Sequence, residues 1–153
     1  MPVFESRTDL NVSVEQLFDY LIRPANLQKI APPEMQFVFV EPPELIQSGC
    51  RLTCKAQAYG MIQKLTYEIV EFDAPTKFRE QMVEGPLKRW LHDYIIEPHS
   101  SPNAVTLVNR IDFEPPGGVL GFLVTADRIL EALDDGFDHR RVELQKLFGK
   151  PNL

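Results

Sequence analysis

The chain has 153 residues, of which 44% are hydrophobic and 25% are charged, a composition typical of one globular domain. Its 22 acidic and 16 basic side chains give a net charge of −6, which argues against a nucleic-acid partner, because phosphate contacts need a basic surface. No apolar run approaches the roughly 18 residues that cross a bilayer, and no secretory signal pattern begins the sequence. We therefore expect a single cytoplasmic domain over 1–153, without membrane insertion.

The N-terminal part predicts one strand and two short helices. Residues 2–11 alternate loosely between apolar and polar, which is typical of a strand. Ser13 and Gln16 form a capping-box pattern, which predicts a helix start. Apolar residues then recur at helical spacing: Val14, Leu17, Phe18, Leu21 and Ile22. Pro24 ends this helix or starts a shorter one, which Pro32 and Pro33 stop.

Six further strands are predicted between short turns, over residues 35–40, 50–58, 61–72, 77–83, 88–97 and 104–114. The clearest is 50–58, which alternates apolar and polar residues throughout. Consecutive strands joined by short turns form an antiparallel sheet, so we expect about seven strands in one sheet.

The last part of the chain changes to a helical period after the break at 115–118. One apolar stripe predicts a helix of about 28 residues, roughly 42 Å long, with a kink or frayed turn at Gly121 or Gly136. The stripe consists of Phe122, Ala126, Ile129, Leu130, Leu133, Phe137, Leu144, Leu147 and Phe148. A single long helix on one face of a sheet defines an α+β domain. One helix cannot fill the concave side of a curved sheet, so a cavity is expected between them.

The cysteines and histidines predict neither a disulfide nor a metal site. In an extended strand, Cys50 and Cys54 would lie about 13 Å apart, whereas a disulfide needs Cα atoms within about 7 Å. We interpret both as small buried residues. The three histidines lack the spacing of zinc ligands, so no metal and no cofactor is expected.

The strand over 88–97 carries the candidate site. Trp90, His92, Tyr94 and Ile96 share one face, which we place on the concave side. The inward face of the next strand contains Leu107, Asn109 and Ile111. With an eight-residue loop, His92 would lie opposite Asn109 and Tyr94 opposite Leu107. A few polar groups in an apolar wall are typical of a small-molecule pocket.

Alternative interpretations of this wall stay open. His92 and Asn109 are equally consistent with a buried structural pair, and Trp90 with core packing. On the preceding strand, apolar count favours Phe78, Glu80 and Met82 facing inward, whereas the opposite parity would turn Arg79 and Gln81 inward. An inward Glu80 beside His92 would be a candidate acid–base couple, and these two are the candidate catalytic residues.

Four stretches carry a family resemblance: Pro24-Ala25-Asn26-Leu27 with Ala31-Pro32-Pro33; Glu71-Phe72-Asp73-Ala74-Pro75 with Phe78; Gln81 with Gly85-Pro86-Leu87, Trp90, His92 and Glu97-Pro98; and Phe137-Asp138-His139-Arg140-Arg141. With this order of elements, the chain resembles the START-like (SRPBCC, or helix-grip) superfamily. The closer resemblance is to bacterial polyketide cyclase/dehydrase-like and coenzyme-Q-binding-like domains. The resemblance implies a curved antiparallel sheet wrapped around the long C-terminal helix. At Gln81 it favours the alternative in which Arg79 and Gln81 face inward. Asn109 stands where related domains often carry Asp, and Tyr94 where they often carry His.

The resemblance implies that the domain binds a hydrophobic or aromatic small molecule, such as a lipid, quinone or polyketide-like compound, between sheet and helix. Candidate ligand-binding residues are Leu65, Tyr67, Phe78, Trp90, His92, Tyr94, Leu107, Asn109, Ile111, Phe122, Ile129 and Leu133. Access is implied between the helix and the loops at 42–49, 59–61, 84–87 and 98–103. One alternative is a cyclase, dehydratase or hydrolase that uses His92. Another is a partner-binding module that uses the outer sheet face or the Pro-rich 31–43 loop, with exposed Leu91 and Ile95 on that face as a homodimer patch.

Overall fold

The computed structural model describes residues 2–58 and 60–151. Its helices are α1 (Val14–Leu21), α2 (Pro24–Ile30), α3 (Leu120–Leu123) and α4 (Ala126–Phe148), with a single 3₁₀ turn at Pro33–Met35. Its strands are β1 (Val3–Leu10), β2 (Val38–Val40), β3 (Arg51–Ala58), β4 (Met61–Asp73), β5 (Lys77–Glu84), β6 (Arg89–Pro98) and β7 (Val105–Glu114). Tyr59, in one of the predicted access loops, lies outside the described residues.

One antiparallel sheet contains all seven strands of the described residues, in the order β1-β7-β6-β5-β4-β3-β2. Neighbouring strands follow one another along the chain, except that β1 pairs with β7. The N-terminal strand therefore completes the sheet beside the strand that precedes the long helix. The predicted α+β helix-grip fold is confirmed.

The helix starts follow from side-chain caps. Ser13 Oγ accepts a hydrogen bond from the backbone N–H of Gln16, as the capping-box pattern predicted. Thr125 Oγ1 likewise accepts from the N–H of Arg128, and this cap starts α4. The predicted single helix of about 28 residues is therefore wrong at its beginning. The helical conformation is interrupted at Val124 and Thr125, so Phe122 belongs to the separate short helix α3. The helix α4 continues through Gly136 without interruption.

Two hydrophobic clusters lie between the sheet and the helices. The closed-end cluster is the larger and is made mostly of fully buried side chains, among them Leu10, Leu17, Phe78, Tyr94, Leu107 and Leu144. The open-end cluster has a smaller buried part, which consists of Phe4, Ile111, Phe113, Val124, Ile129 and Phe137. Five further members of the open-end cluster are only half-buried: Leu87, Trp90, Ala126, Leu130 and Leu133. Seven half-buried side chains also border the sixteen buried ones of the closed-end cluster, so the open-end cluster is the smaller and the more exposed of the two.

Exposed apolar side chains collect at the open end. Met61 and Ile62 begin β4, Val83 is near the end of β5, and four more follow β7: Val119, Leu120, Phe122 and Leu123. The antiparallel pairing places these chain positions at the same end of the strands. We call these seven residues the apolar rim. Within the described part of the chain, no helix is both long and apolar enough to cross a membrane.

The β6–β7 pairing differs from the predicted register by two residues. His92 lies opposite Ile111, and Tyr94 lies opposite Asn109. The prediction assumed an eight-residue loop, but β6 extends to Pro98, which pairs with Val105. Only residues 99–104 remain in the loop, where the N–H of His99 donates to the carbonyl of Ala104. A shift of two residues preserves which side chains face inward, because strand side chains alternate with period two.

Candidate functional site

His92 is the centre of a buried polar network on the concave face. Its Nδ1 lies 3.1 Å from Glu80 Oε1, and its Nε2 lies 2.8 Å from Asn109 Oδ1. The His92 side chain is 2% exposed and that of Glu80 is 12% exposed. The open question of strand parity is thereby answered. Phe78 and Glu80 face inward, whereas Arg79 pairs with Asp93 on the outer face and Gln81 is exposed.

The contacts of His92 determine how its protons are shared. In this orientation of the Asn109 amide, both ring nitrogens face oxygen atoms. Nε2–H donates to Asn109, so the contact between Nδ1 and Glu80 needs a second proton, on either the imidazole or the carboxyl group. His92 and Glu80 can therefore exchange a proton, but neither ring nitrogen is free to face a ligand.

The polar network continues across the sheet and up to α4. Asn109 lies opposite Ser6 of β1, and Ser6 Oγ accepts a hydrogen bond from Arg141 Nη2 at 3.2 Å. Arg140 Nη1 donates to Tyr94 Oη at 3.4 Å, and its guanidinium carbon lies 4.9 Å from the centre of the Phe137 ring. Two successive arginines of the long helix thus reach the inner face of the sheet.

Aromatic rings surround His92 on both sides. Tyr94 stacks on the imidazole with ring centres 4.0 Å apart, and Phe78 stacks on Tyr94 at 4.4 Å. Toward the open end, Trp90 and Phe137 approach the imidazole edge-to-face at 6.2 and 5.7 Å. The network therefore lies at the boundary between the two hydrophobic clusters.

Burial keeps three acidic groups near Glu80 neutral. It raises the pKa of Cys54 and of Tyr94 to about 12, with the Glu80 charge adding to both shifts and Arg140 opposing the shift of Tyr94. It also raises the pKa of Tyr67 well above its usual range, again with a contribution from Glu80. These groups act as hydrogen-bonding hydroxyl and thiol groups across the neutral pH range, not as anions.

Cys54 should resist alkylation in the folded protein. Its thiol is fully buried, and because its pKa is raised, the thiol stays protonated as the pH increases until about pH 12. The thiolate is the reactive form. At pH 8 we expect iodoacetamide to modify half-buried Cys50 at least about a hundredfold faster than Cys54, since core openings cost several kcal/mol. Mass mapping of the peptides measures both rates. Equal rates in the native protein would contradict this burial, and equal rates in guanidinium are the control.

Trp90 lies at the open end of the site with one hydrogen-bond donor unused. Its Nε1–H is buried and has no acceptor among the described residues. Its ring centre lies 6.5 Å from that of Tyr67, and Leu87, Leu130 and Leu133 belong to the same cluster. Leu133 and Leu130 come from α4, so this indole lies between the sheet and the long helix.

Apart from His92 and Asn109 of the polar network, the structure distributes the predicted ligand-binding residues over four places. Trp90, Ile111, Ile129 and Leu133 meet in the open-end cluster, with Tyr67 beside Trp90. Phe78, Tyr94 and Leu107 belong to the closed-end cluster. Leu65 is half-buried opposite Cys54. Phe122 was predicted to face inward on one continuous helix. It is instead 85% exposed on the apolar rim, because the helix is interrupted before Thr125.

The sequence-based predictions assigned no role in the site to Arg140 or Arg141. Arg141 does pair with Asp138, but it also reaches Ser6, and Arg140 reaches Tyr94. Their spacing contained the signal. Phe137, Arg140, Arg141 and Leu144 follow the i, i+3, i+4, i+7 pattern of one helix face.

Two cavities in the described part of the chain lie outside the predicted sheet–helix space. One, of about 340 Å³, lies on the outer face of the sheet, where its lining includes the predicted dimer residues Leu91 and Ile95. The other, of about 280 Å³, lies beside residues 43–50.

The described parts of the four implied access loops do not lie together. Residues 60–61 and 84–87 lie at the open end, whereas 42–49 and 98–103 lie at the opposite end of the strands. Only the first pair adjoins the apolar rim. No cluster of three or more metal-ligating side chains occurs in the described residues.

A curled antiparallel sheet closed by one long helix, with a polar network in an apolar wall, defines a START-like, helix-grip protein. The family model for polyketide cyclase / dehydrase and lipid transport proteins matches residues 1–141. The chain belongs to this family. No curated protein matches the sequence.

Solved structures of low sequence identity share the fold. Protein CV1439 of Chromobacterium violaceum is 16% identical, with a TM-score of 0.71 and coverage of 98% of each chain. A START superfamily protein of Mycobacterium smegmatis is 12% identical, with a TM-score of 0.70 and coverage of 95% of this chain and 98% of the other. Major latex-like protein 151 of Panax ginseng is 15% identical, with a TM-score of 0.66 and coverage of 94% and 97%.

Proposed function

We propose that the protein binds a hydrophobic or aromatic small molecule at the open-end cluster, between β6 and the first half of α4. The observation that carries this proposal is the difference in burial between the two clusters. The closed-end cluster has sixteen buried and seven half-buried side chains, whereas the open-end cluster has six buried and five half-buried ones, among them Leu87, Trp90, Leu130 and Leu133. A half-buried apolar region beside a few polar groups is the usual setting of a small-molecule site.

The long helix is well placed to admit such a molecule. Of its 23 residues, all of which are described, α4 buries only Ile129, Phe137 and Leu144. The short helix α3, with its exposed Phe122 and Leu123, lies directly before the first turn of α4. A small displacement of α3 and the first turn of α4 would open the space beside Trp90 without disturbing the closed-end cluster.

A second candidate function, acid–base catalysis on such a ligand, is favoured by one contact. Glu80 and His92 lie within hydrogen-bond distance in a buried setting. Against this role, both nitrogens of His92 are already engaged. We therefore rank ligand binding without catalysis first, and a cyclase, dehydratase or hydrolase activity second.

Native mass spectrometry of the freshly purified protein, followed by extraction, tests the binding proposal. We expect a co-purified or readily loaded apolar molecule at a ratio of one per chain. Leu133→Trp should fill the site and weaken binding by at least about tenfold. A tenfold loss of affinity corresponds to about 1.4 kcal/mol, which is within the usual cost of overpacking. Leu147→Trp places the same residue on the same helix at an exposed position and should change binding less than about twofold. Equal effects of the two variants would contradict the proposed location.

Three further expectations remain predictions. They are the cytoplasmic location, the absence of a nucleic-acid partner, and the homodimer through Leu91 and Ile95. These two residues are half-buried beside the charged side chains of the outer sheet face. Light scattering at high protein concentration measures the oligomeric state directly.

A further inference from the structure

The two edges of the sheet differ in how far their backbone is covered. At one edge, β2 consists only of Val38–Val40, and the N–H of Phe39 donates to Gln28 Oε1 at 3.0 Å. At the other edge, β1 pairs with β7 over its full length without a shift of register. A long, regular edge strand is a template for a further strand, and proteins usually block such an edge. The edge of β1 is therefore the place where a partner can extend the sheet.

Alternate residues of β1 present their backbone groups to this edge. The carbonyl of Pro2 accepts a hydrogen bond from the N–H of Phe113, so the even-numbered residues of the strand bond to β7. The N–H and C=O groups of the odd-numbered residues therefore point away from β7, to the open edge. These residues are Val3, Glu5, Arg7 and Asp9.

The end of α4 covers only the last part of the edge. The N–H of Asn11 donates to the carbonyl of Gly149, and Gln145 Nε2 donates to the carbonyl of Asp9 at 3.5 Å. Among the described residues, no loop, helix or side chain makes such a contact with the backbone groups of residues 3, 5 and 7 on this side. The first two-thirds of the strand thus keep an open edge.

A row of charges crosses the outer face of the sheet and ends at the same edge. Five residues lie opposite one another on five neighbouring strands and are alternately acidic and basic: Glu71, Arg79, Asp93, Arg110 and Glu5. Arg79 binds Asp93 at 2.6 and 3.1 Å and lies 3.7 Å from Glu71. Directly opposed residues of opposite charge stabilise a sheet. The row stops at Glu5, so the next position in the alternation is a basic residue on an added strand.

We propose that a second copy of this chain adds its own β1 to this edge, antiparallel and with Ser6 opposite Ser6. In this register Glu5 of each copy lies opposite Arg7 of the other, so the alternation of charge continues from one copy into the next. Both residues are odd-numbered, and each opposed pair therefore exchanges its uncovered N–H and C=O groups. Registers centred on Glu5 or on Arg7 would instead place like charges opposite each other.

The charged side chains at this edge are accessible for these pairs. Glu5 and Arg7 are both exposed on the outer face. Arg7 binds Glu97 of its own chain, but both side chains are about half exposed, and a guanidinium has enough donors for two carboxylates. Pairing at the edge therefore adds ion pairs without removing one.

An exposed valine beside the edge fits the same partner. Arg141 and Gln145 of α4 reach Ser6 and Asp9 of β1, so this face of the helix borders the open edge. Val142 lies between these two helix residues in sequence and is 50% exposed. Because a two-fold interface uses the same patch on both copies, Val142 of each copy lies beside the joined strands. The interface thus combines a backbone ladder, reciprocal ion pairs and apolar contact.

A complementation experiment tests this arrangement. Sedimentation velocity should show the native chain forming a dimer with a Kd on the order of 50 µM, as expected for a small interface. Glu5→Arg and Arg7→Glu each place like charges opposite each other at both pairs and should weaken the dimer at least about tenfold. A mixture of the two variants restores opposite charges at both pairs. We therefore expect dimers to return on mixing.

Two controls accompany the mixture. Circular dichroism of each variant shows whether it is folded, and these exposed positions should tolerate the change. Leu91→Ala combined with Ile95→Ala alters the predicted homodimer patch on the outer face and should leave the dimer Kd within about twofold. If this double variant is monomeric while the charge variants still dimerise, the dimer uses the outer face and the edge inference is overturned.

Amide hydrogen exchange of the native chain needs no variant. The N–H groups of Glu5 and Arg7 should exchange about threefold more slowly at about 500 µM than at about 10 µM, because the monomer fraction falls by that factor at the expected Kd. The N–H groups of Ser6 and Thr8 bond to β7 and should exchange slowly at both concentrations. A native chain that stays monomeric at about 500 µM, or two folded variants that stay monomeric when mixed, would overturn the inference.

Discussion

Replacing His92 by Leu is expected to destabilise the protein by about 3–5 kcal/mol, the usual effect of removing one partner from a buried pair that can be charged. The side chain is 2% exposed, and Glu80, at 12% exposure, would lose its partner. Asn109 Oδ1 would lose its donor as well, and the stacking contact with Tyr94 would change. Unfolding by guanidinium, followed by circular dichroism, measures the loss.

The double variant His92→Leu with Glu80→Leu is the informative control. It removes both members of the pair, so no unpaired carboxylate stays in the wall. Well-packed apolar replacements of buried ion pairs are often neutral or stabilising. We therefore expect the double variant to be more stable than His92→Leu alone, by at least about 1–2 kcal/mol. Glu80→Leu alone should lose about 1–3 kcal/mol, because it leaves one ring nitrogen without a partner.

This series also separates a structural role from a catalytic one. A histidine kept for catalysis would leave stability nearly intact when replaced, while any turnover would disappear. A loss below about 1 kcal/mol in His92→Leu would therefore contradict the structural role and favour the acid–base function. The contacts support the opposite result, since neither ring nitrogen faces the open end.

The fold was predictable because local signals agreed with one another along the chain. The alternation over 50–58 predicted β3 almost to the residue, and Ser13 with Gln16 predicted the cap of α1. Short turns between the predicted strands then allowed little besides an antiparallel sheet. Two elements were misjudged. The strand predicted over 35–40 is confined to Val38–Val40, because a 3₁₀ turn occupies Pro33–Met35. The long helix starts later than predicted, since the apolar stripe ran through Phe122 while Thr125 provided a competing cap.

The site was predictable in composition but not in pairing. Apolar count identified the inward faces of β5, β6 and β7, and these faces bring Glu80, His92 and Asn109 together. Knowing which side chains face inward does not fix the strand register, because a shift of two residues keeps the same side chains inward. The loop length decided it, and His92 meets Asn109 diagonally instead of directly across. The spacing of Arg140 and Arg141 relative to Phe137 and Leu144 indicated the inner face of α4, but not which groups of the sheet the two arginines would meet.

Phe78→Ala is expected to destabilise the protein by about 3–5 kcal/mol, whereas Phe122→Ala should change stability by no more than about 0.5 kcal/mol. Both side chains were predicted to line one cavity. Phe78 is 1% exposed and stacks on Tyr94, with Phe18 edge-on at 6.0 Å. Phe122 is 85% exposed on the apolar rim. The same truncation therefore leaves a cavity in the closed-end cluster and none at the rim.

Chemical unfolding of the two variants side by side measures this difference. A loss below about 1.5 kcal/mol for Phe78→Ala would mean that the closed-end cluster repacks freely, which its stacked rings argue against. A loss above about 1.5 kcal/mol for Phe122→Ala would mean that α3 is packed in solution. With the expected result, any change that Phe122→Ala causes in ligand affinity reflects contact with the ligand or its access path. The same change in Phe78→Ala would reflect the fold, because that ring holds the inner wall in place.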